Sequence, residues 1–124
     1  MHVLIVEDTK MLRALIQVFM MDTHVTFEEA LDGVEGLARA RARQPDLVIS
    51  DVRMPNMDGF ELCAALRADP VLRKVPIILL TTLGDEGSRQ QGYLVGADAF
   101  LTKPVMPGEL RATVTKVMAA PGIA

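Results

Sequence analysis

The chain has 124 residues, half of them hydrophobic and 23% charged, which suits one globular domain and argues against disorder. A net charge of −3 with no basic run makes the chain a poor candidate for nucleic-acid binding by itself, and a single cysteine, Cys63, excludes an intrachain disulfide framework or a cysteine zinc cluster. No apolar run reaches membrane-span length and the start lacks a signal-peptide pattern, so a cytoplasmic domain is expected.

The first apolar run, Val3-Leu4-Ile5-Val6, reads as a strand. Behind it, Leu12, Leu15, Ile16, Phe19 and Met20 recur at helical spacing. Val25-Thr26-Phe27 is a weaker run leading into Glu28-Glu29 and reads as an edge strand. Asp32 is a plausible N-cap for a helix whose apolar positions are Val34, Leu37 and Ala38. Leu47-Val48-Ile49 is the next strand, followed by a helix facing inward through Leu62, Cys63 and Leu66 and ending near Asp69-Pro70. Ile77-Ile78-Leu79-Leu80 is a fourth strand.

The segment from Gly84 to Val95 is a poor helix, with a thin apolar stripe. Gly87 and Gly92 each cost it about 1 kcal/mol relative to Ala. A crossover between parallel neighbours is nevertheless needed there, and Gly96 can cap it. Ala99-Phe100-Leu101 is the last strand, and Leu110, Val114, Val117 and Met118 mark a final helix with Pro107 near its start. Short, continuous apolar runs without polar alternation indicate strands covered on both faces. The expected fold is therefore α/β, a doubly wound (βα)5 parallel five-stranded sheet with helices on both faces. Residues 1–120 form the expected domain, and residues 121–124 read as a flexible tail or a linker stub.

In such a sheet, sites form beyond the carboxyl ends of the strands. The residues at those ends are Glu7 and Asp8, then Asp51, then Thr81-Thr82, then Thr102-Lys103-Pro104. Three converging carboxylates repel one another, and a cation resolves the repulsion. An all-oxygen set suits Mg²⁺. An ammonium and a hydroxyl on the same edge supply charge and a donor for an anion. Together these groups describe phosphoryl transfer onto an aspartate.

These residues carry a resemblance over essentially the whole chain. Glu7-Asp8, Asp51 within Asp-Val-Arg-Met-Pro-Asn-Met-Asp-Gly (51–59), Thr81 and Lys103-Pro104 occur in the order and at the spacing typical of response-regulator receiver domains. The chain resembles that family of two-component signalling. The resemblance implies the flavodoxin-like strand order 2-1-3-4-5.

It also implies roles. Asp51 would be the phosphoacceptor, taking a phosphoryl group from a kinase phosphohistidine. Asp8 would bind Mg²⁺ directly and Glu7 through water, with the main-chain carbonyl of Arg53 completing the set. Lys103 would pair with the phosphoryl oxygens, and its bond to Pro104 is expected to be cis. Thr81 would donate a hydrogen bond to the phosphoryl group, and Phe100 would be the switch aromatic, turning inward as Thr81 moves. The expected reporting surface is the fourth helix, fifth strand and fifth helix. Expected partners are a histidine kinase or histidine phosphotransfer protein, and a downstream target protein or fused effector domain. Direct contact with nucleic acid or membrane is not expected. The domain would be a signalling switch rather than an enzyme.

The sequence departs from the family's commonest pattern at Thr82, where Ala or Gly is frequent, and at Val105, where Phe is common. Arg53 and Leu83 stand at positions that influence phosphoryl lifetime in that family. A haloacid-dehalogenase-type hydrolase would need an Asp where Arg53 stands. A dinucleotide-binding domain would need glycines where the first turn reads Glu7-Asp8-Thr9-Lys10. The alternative left is a pseudo-receiver, a phosphorylation-independent interaction module, although such modules typically lose residues this chain keeps. Cys63 reads as a buried small hydrophobe, Tyr93 as a half-exposed packing residue, and neither His2 nor His24 as a ligand. Met11, Met20 and Met118 read as packing residues on helix faces.

Overall fold

Strands that are apolar on every residue need cover on both faces, and the computed structural model provides it. It describes residues 1–82 and 86–119. In chain order the elements are β1 (His2–Val6), α1 (Lys10–Phe19), β2 (Thr26–Ala30), α2 (Gly33–Ala42), β3 (Leu47–Asp51), α3 (Gly59–Ala68), β4 (Ile77–Thr81), α4 (Glu86–Leu94), β5 (Ala99–Thr102) and α5 (Pro107–Ala119). All strand pairs are parallel, in the order β2-β1-β3-β4-β5. The chain thus winds outward one way from β1 and then reverses, which opens a crevice at the carboxyl ends of β1 and β3.

Successive strand residues point to opposite faces, so each strand feeds two cores. Val3, Ile5, Ile49, Ile78, Leu80 and Leu101 pack with Ile16 of α1 and Leu110 of α5. Leu4, Val6, Val48, Ile77, Leu79 and Phe100 pack with Ala40 of α2 and Leu62, Cys63 and Leu66 of α3. Burial pushes the Cys63 thiol up to about 11, in keeping with an inert packing role.

Several helix faces differ from the apolar periodicity. On α1 the buried side chains are Arg13 and Ile16, with Met20 just beyond, while Leu15 is exposed. On α2 the buried face is Gly33, Gly36 and Ala40, and Val34 lies in solvent. Small residues face inward there because the helix backbone lies close to β1; a Cβ on Gly36 would come within 2.9 Å of the Val6 side chain. Met11 and Met118 are exposed, and only Met20 of the three methionines is buried. β2 runs over Thr26–Ala30, later than the apolar run, because its register against β1 pairs Thr26 with His2 and Ala30 with Val6. α4 covers Glu86–Leu94, and Gly96 beyond it adopts φ +104°. Gly84, Leu83 and the segment 121–124 lie outside the described residues.

The amino-terminal edge of the sheet is held by Arg67 of α3. Its guanidinium donates to the carbonyls of Gly96 (2.9 Å), Arg73 (3.0 Å) and Val75 (2.6 Å) and to Asp98 Oδ2 (2.8 Å). Asp98 Oδ2 in turn accepts from the Ile77 amide at 2.8 Å. One cation thereby joins α3, the approach to β4 and the approach to β5. Arg67→Ala is expected to lower unfolding stability by at least about 2 kcal/mol, since charged donors leave several carbonyls together. Urea unfolding of the two proteins measures this.

Candidate functional site

The carboxyl edge of the sheet gathers the polar residues that the strand ends promise. Glu7 and Asp8 follow β1 directly, and the Glu7 amide still donates to Ala30 O at 3.0 Å, one rung beyond the β1–β2 ladder. The Glu7 side chain is buried and accepts from the Thr9 amide at 2.9 Å, while Asp8 is exposed. Asp51 is the last residue of β3 and is buried. One carboxylate oxygen from each of Glu7, Asp8 and Asp51 lies within 4.8 Å of the others.

The loop after Asp51 is anchored on both sides. The Val52 amide donates to Leu80 O at 2.9 Å, and the Gly59 amide donates back to Val52 O at 2.8 Å. A Cβ on Gly59 would overlap the carbonyl of Asp51, so glycine there is what lets α3 start beneath the strand end. Asp58 and Glu61 close a capping box at that start. Across the loop, Asn56 Nδ2 donates to Asp32 Oδ2 at 2.7 Å and the Gly33 amide donates to Met57 O at 3.0 Å. Asn56 takes φ 68°, a left-handed conformation that Asn tolerates better than most residues. Arg53 is exposed within this loop.

The opposite wall comes from β4 and β5. Thr81 ends β4, is buried, and pairs in register with Thr102. The Lys103 amide donates to Thr81 O at 2.7 Å, and the Lys103–Pro104 peptide is cis. Lys103 Nζ donates to Asp51 Oδ2 at 2.9 Å and reaches Glu7 Oε1 at 3.5 Å. Val105 behind it is buried in the α1/α5 core, and Thr82 is exposed.

Charge balance decides what this cluster accepts. Two carboxylates about 5 Å apart repel by roughly 3 kcal/mol at an effective dielectric near 20. Burial raises the Glu7 carboxyl to about 7, the charge of Asp51 and a hydrogen bond with Asp8 push the same way, and the Thr9 amide and Lys103 oppose them. Partial burial works against the Lys103 ammonium, but the hydrogen bond and charge of Asp51, with Glu7, outweigh it and hold its pKa above the ordinary value. One ammonium against three carboxylates leaves room for more positive charge. The oxygen-only donor set fits a hard divalent cation such as Mg²⁺.

Phe100 lies one layer below. It is 6% exposed and packs in the core on the α4 side. Its ring meets Tyr93 edge-on, with centroids 5.6 Å apart, and the Arg89 guanidinium lies 5.7 Å from its centroid. Arg89 also donates to Thr102 Oγ1 at 3.1 Å. A Cβ on Gly92 would overlap the Phe100 ring, so the glycine that weakens α4 is also the seat that admits the ring. Tyr93 itself is half-exposed.

The structure thus brings Glu7, Asp8, Asp51 and Lys103 together, sets Thr81 at the same strand edge, and keeps His2 apart at the start of β1, hydrogen-bonded to Thr26 and Glu28. Leu83 falls outside the described residues. Sequence periodicity did not single out Arg13, a buried α1 cation that reaches the site's backbone. Its signal is its spacing, three residues before Ile16 and seven before Met20, which puts it on the buried face.

The sequence profile described as the response regulator receiver domain matches residues 3–115. The chain therefore belongs to the response-regulator receiver family of two-component systems. It is 39% identical over 104 residues to the response regulator PleD of Caulobacter vibrioides, covering 84% of this chain and 23% of PleD. The chain thus spans about a quarter of that relative's length. Among solved structures, the chemotaxis response regulator CheY4 of Vibrio cholerae superposes with a TM-score of 0.87 at 38% identity, covering 94% of this chain and 97% of that one. The receiver domain of the sensor histidine kinase PA1611 from Pseudomonas aeruginosa PAO1 has a TM-score of 0.86 at 26% identity over 96% of this chain and 98% of that one. That structure holds a magnesium ion in its active-site cleft. Among the described residues, no helix is long and apolar enough to cross a membrane.

Glu7 also sets a pH dependence. Its neutral form persists in the fold up to about pH 7, whereas in the unfolded chain it ionises near 4.5. Without divalent cation, Glu7 contributes stability below about 4.5 that is lost as pH rises to about 7. Thermal unfolding in chelator at about pH 5 and about pH 8 should therefore show a smaller loss for Glu7→Gln than for wild type. Equal losses would contradict the burial-driven shift.

Proposed function

We propose that this domain is a phosphoacceptor switch. Asp51 is the acceptor, and a histidine kinase or histidine phosphotransfer protein is the donor. A carboxylate oxygen of Asp51 attacks the phosphorus of a phosphohistidine. The P–N bond breaks, and its electron pair stays on the imidazole nitrogen. The observation that carries this reading is the Lys103 ammonium, 2.9 Å from Asp51 in a cluster with two further carboxylates. A carboxylate already held by a cation at a strand end is an oriented nucleophile, and the same cation is in place for the incoming phosphoryl oxygens.

Glu7, Asp8, Asp51 and the main-chain carbonyl of Arg53 would hold Mg²⁺. When bound, the ion supplies positive charge against the carboxylates and the phosphoryl oxygens. The family membership and the magnesium found in the PA1611 receiver support this assignment. The Thr81 hydroxyl donates to the phosphoryl group once it has arrived. The resulting shift reaches Phe100 and, through the Gly92 seat and Arg89, α4. The face formed by α4, β5 and α5 then presents the state to a target protein or to an effector domain in the same chain. On this reading the domain is a cytoplasmic signalling switch and not an enzyme. The domain proper is residues 1–120.

The test is intact mass after incubation with Mg²⁺ and a small phosphodonor such as acetyl phosphate. Wild type should gain one phosphoryl group, and the gain should vanish with chelator or in Asp51→Asn. The kinase route is covered by a phosphohistidine donor in a second arm. No gain from either donor would favour the phosphorylation-independent interaction module. Once the phosphoryl form is made, Arg53→Ala is expected to change its decay rate more than it changes the unfolding midpoint.

A further inference from the structure

In an extended strand, neighbouring side chains point to opposite faces. Glu7 and Asp8 are neighbours, yet their carboxylate oxygens both approach Asp51, all within 4.8 Å. The peptide that joins them must therefore turn out of the pleat of β1, and that turn needs a hold. The preceding Val6–Glu7 peptide is held in the ordinary way, since Glu7 N–H donates to Ala30 O at 3.0 Å. For the Glu7–Asp8 peptide the hold comes from a side chain. Arg13 Nη1 donates to Glu7 O at 2.7 Å in a buried setting.

Arg13 is itself held. It lies on the first turn of α1 and is 9% exposed. Its backbone amide donates to Thr9 O at 3.1 Å, and its Nε donates to Glu29 Oε1 of β2 at 2.8 Å. A planar guanidinium that serves two acceptors at once has little freedom to rotate. The edge strand β2 thus orients Arg13, and Arg13 orients the Glu7–Asp8 peptide.

We propose that Arg13 is a positioning residue for the divalent-cation site. By fixing the plane of the Glu7–Asp8 peptide, it makes two adjacent carboxylates converge on one point. This inference rests on the cation-binding reading above and adds to it a residue that contributes no ligand atom. Groups that orient a ligand without touching the metal commonly set affinity by about ten- to a hundredfold.

The test is the Mg²⁺ dissociation constant of folded protein, measured by calorimetric titration. Arg13→Ala should weaken binding by about ten- to a hundredfold. Arg13→Lys should fall between, because one ammonium cannot reproduce the two-acceptor fork. Val117→Ala, which opens the core at the far end of α5, should lower the unfolding midpoint and leave the constant unchanged. A folded Arg13→Ala that binds as wild type does would overturn the proposal. So would Val117→Ala weakening binding as much as Arg13→Ala. If Arg13→Ala does not fold, a wild-type constant in Arg13→Lys overturns it instead. Absence of Mg²⁺ binding by the wild type would overturn the cation site itself, and this inference with it.

Discussion

The arrangement turns on an electrostatic conflict at one edge of the sheet. Three carboxylates have an oxygen each within 4.8 Å of the others, and a lysine 2.9 Å from Asp51 relieves only part of the repulsion. The conflict is resolved locally in two ways. Glu7 is buried and biased toward its neutral form, and Lys103 is held as a cation by Asp51 and Glu7 against its partial burial. A second cation would complete the balance. The fold therefore keeps the site short of positive charge, which is the property a divalent ion would answer.

Holding like charges together demands a rigid frame, and the frame is built from backbone contacts. The loop after Asp51 is bonded to β4 through Val52, to α2 through Met57, and to Asp32 through Asn56. Gly59 lets α3 begin against the Asp51 carbonyl. The Glu7–Asp8 turn is gripped by Ala30 on one side and Arg13 on the other. On the far wall, the Thr81 carbonyl accepts from the Lys103 amide, which ties the lysine's backbone to the end of β4. The contrast with α4 is marked. Its inner surface at Gly92 is a flat seat for an aromatic ring, and its Arg89 lies over that same ring.

How much of this was legible beforehand follows from what each residue's signal depends on. The strands were readable because Val3–Val6, Leu47–Ile49 and Ile77–Leu80 are apolar on both faces, as strands covered on both sides are, whereas their order followed from the family resemblance and not from the pattern. Glu7, Asp8, Asp51, Thr81 and Lys103 were readable because strand ends are where such a sheet places chemistry. The helix faces were less so. α2 turns Gly33, Gly36 and Ala40 inward and Val34 outward, since close backbone approach outweighs side-chain hydrophobicity there. Arg13 was missed for the related reason that a cation on a helix is normally read as solvated, and only three-dimensional contact with Glu7 O and Glu29 reveals its place. Gly92 was read as a helix-weakening residue, and its function as a seat for Phe100 depends on a contact with β5 that periodicity cannot report.

The central claim is that this edge takes up a cation and a phosphoryl group together and passes the change to α4. Amide NMR of the protein titrated with Mg²⁺ and then beryllofluoride, an unreactive phosphoryl mimic, tests it most directly. The account predicts saturable shifts at Glu7, Asp8, Asp51, Thr81 and Lys103, with further shifts in the second step reaching Gly92 and Phe100. Shifts confined to the five site residues would contradict the link to α4, and no saturable shift at those residues would contradict the site.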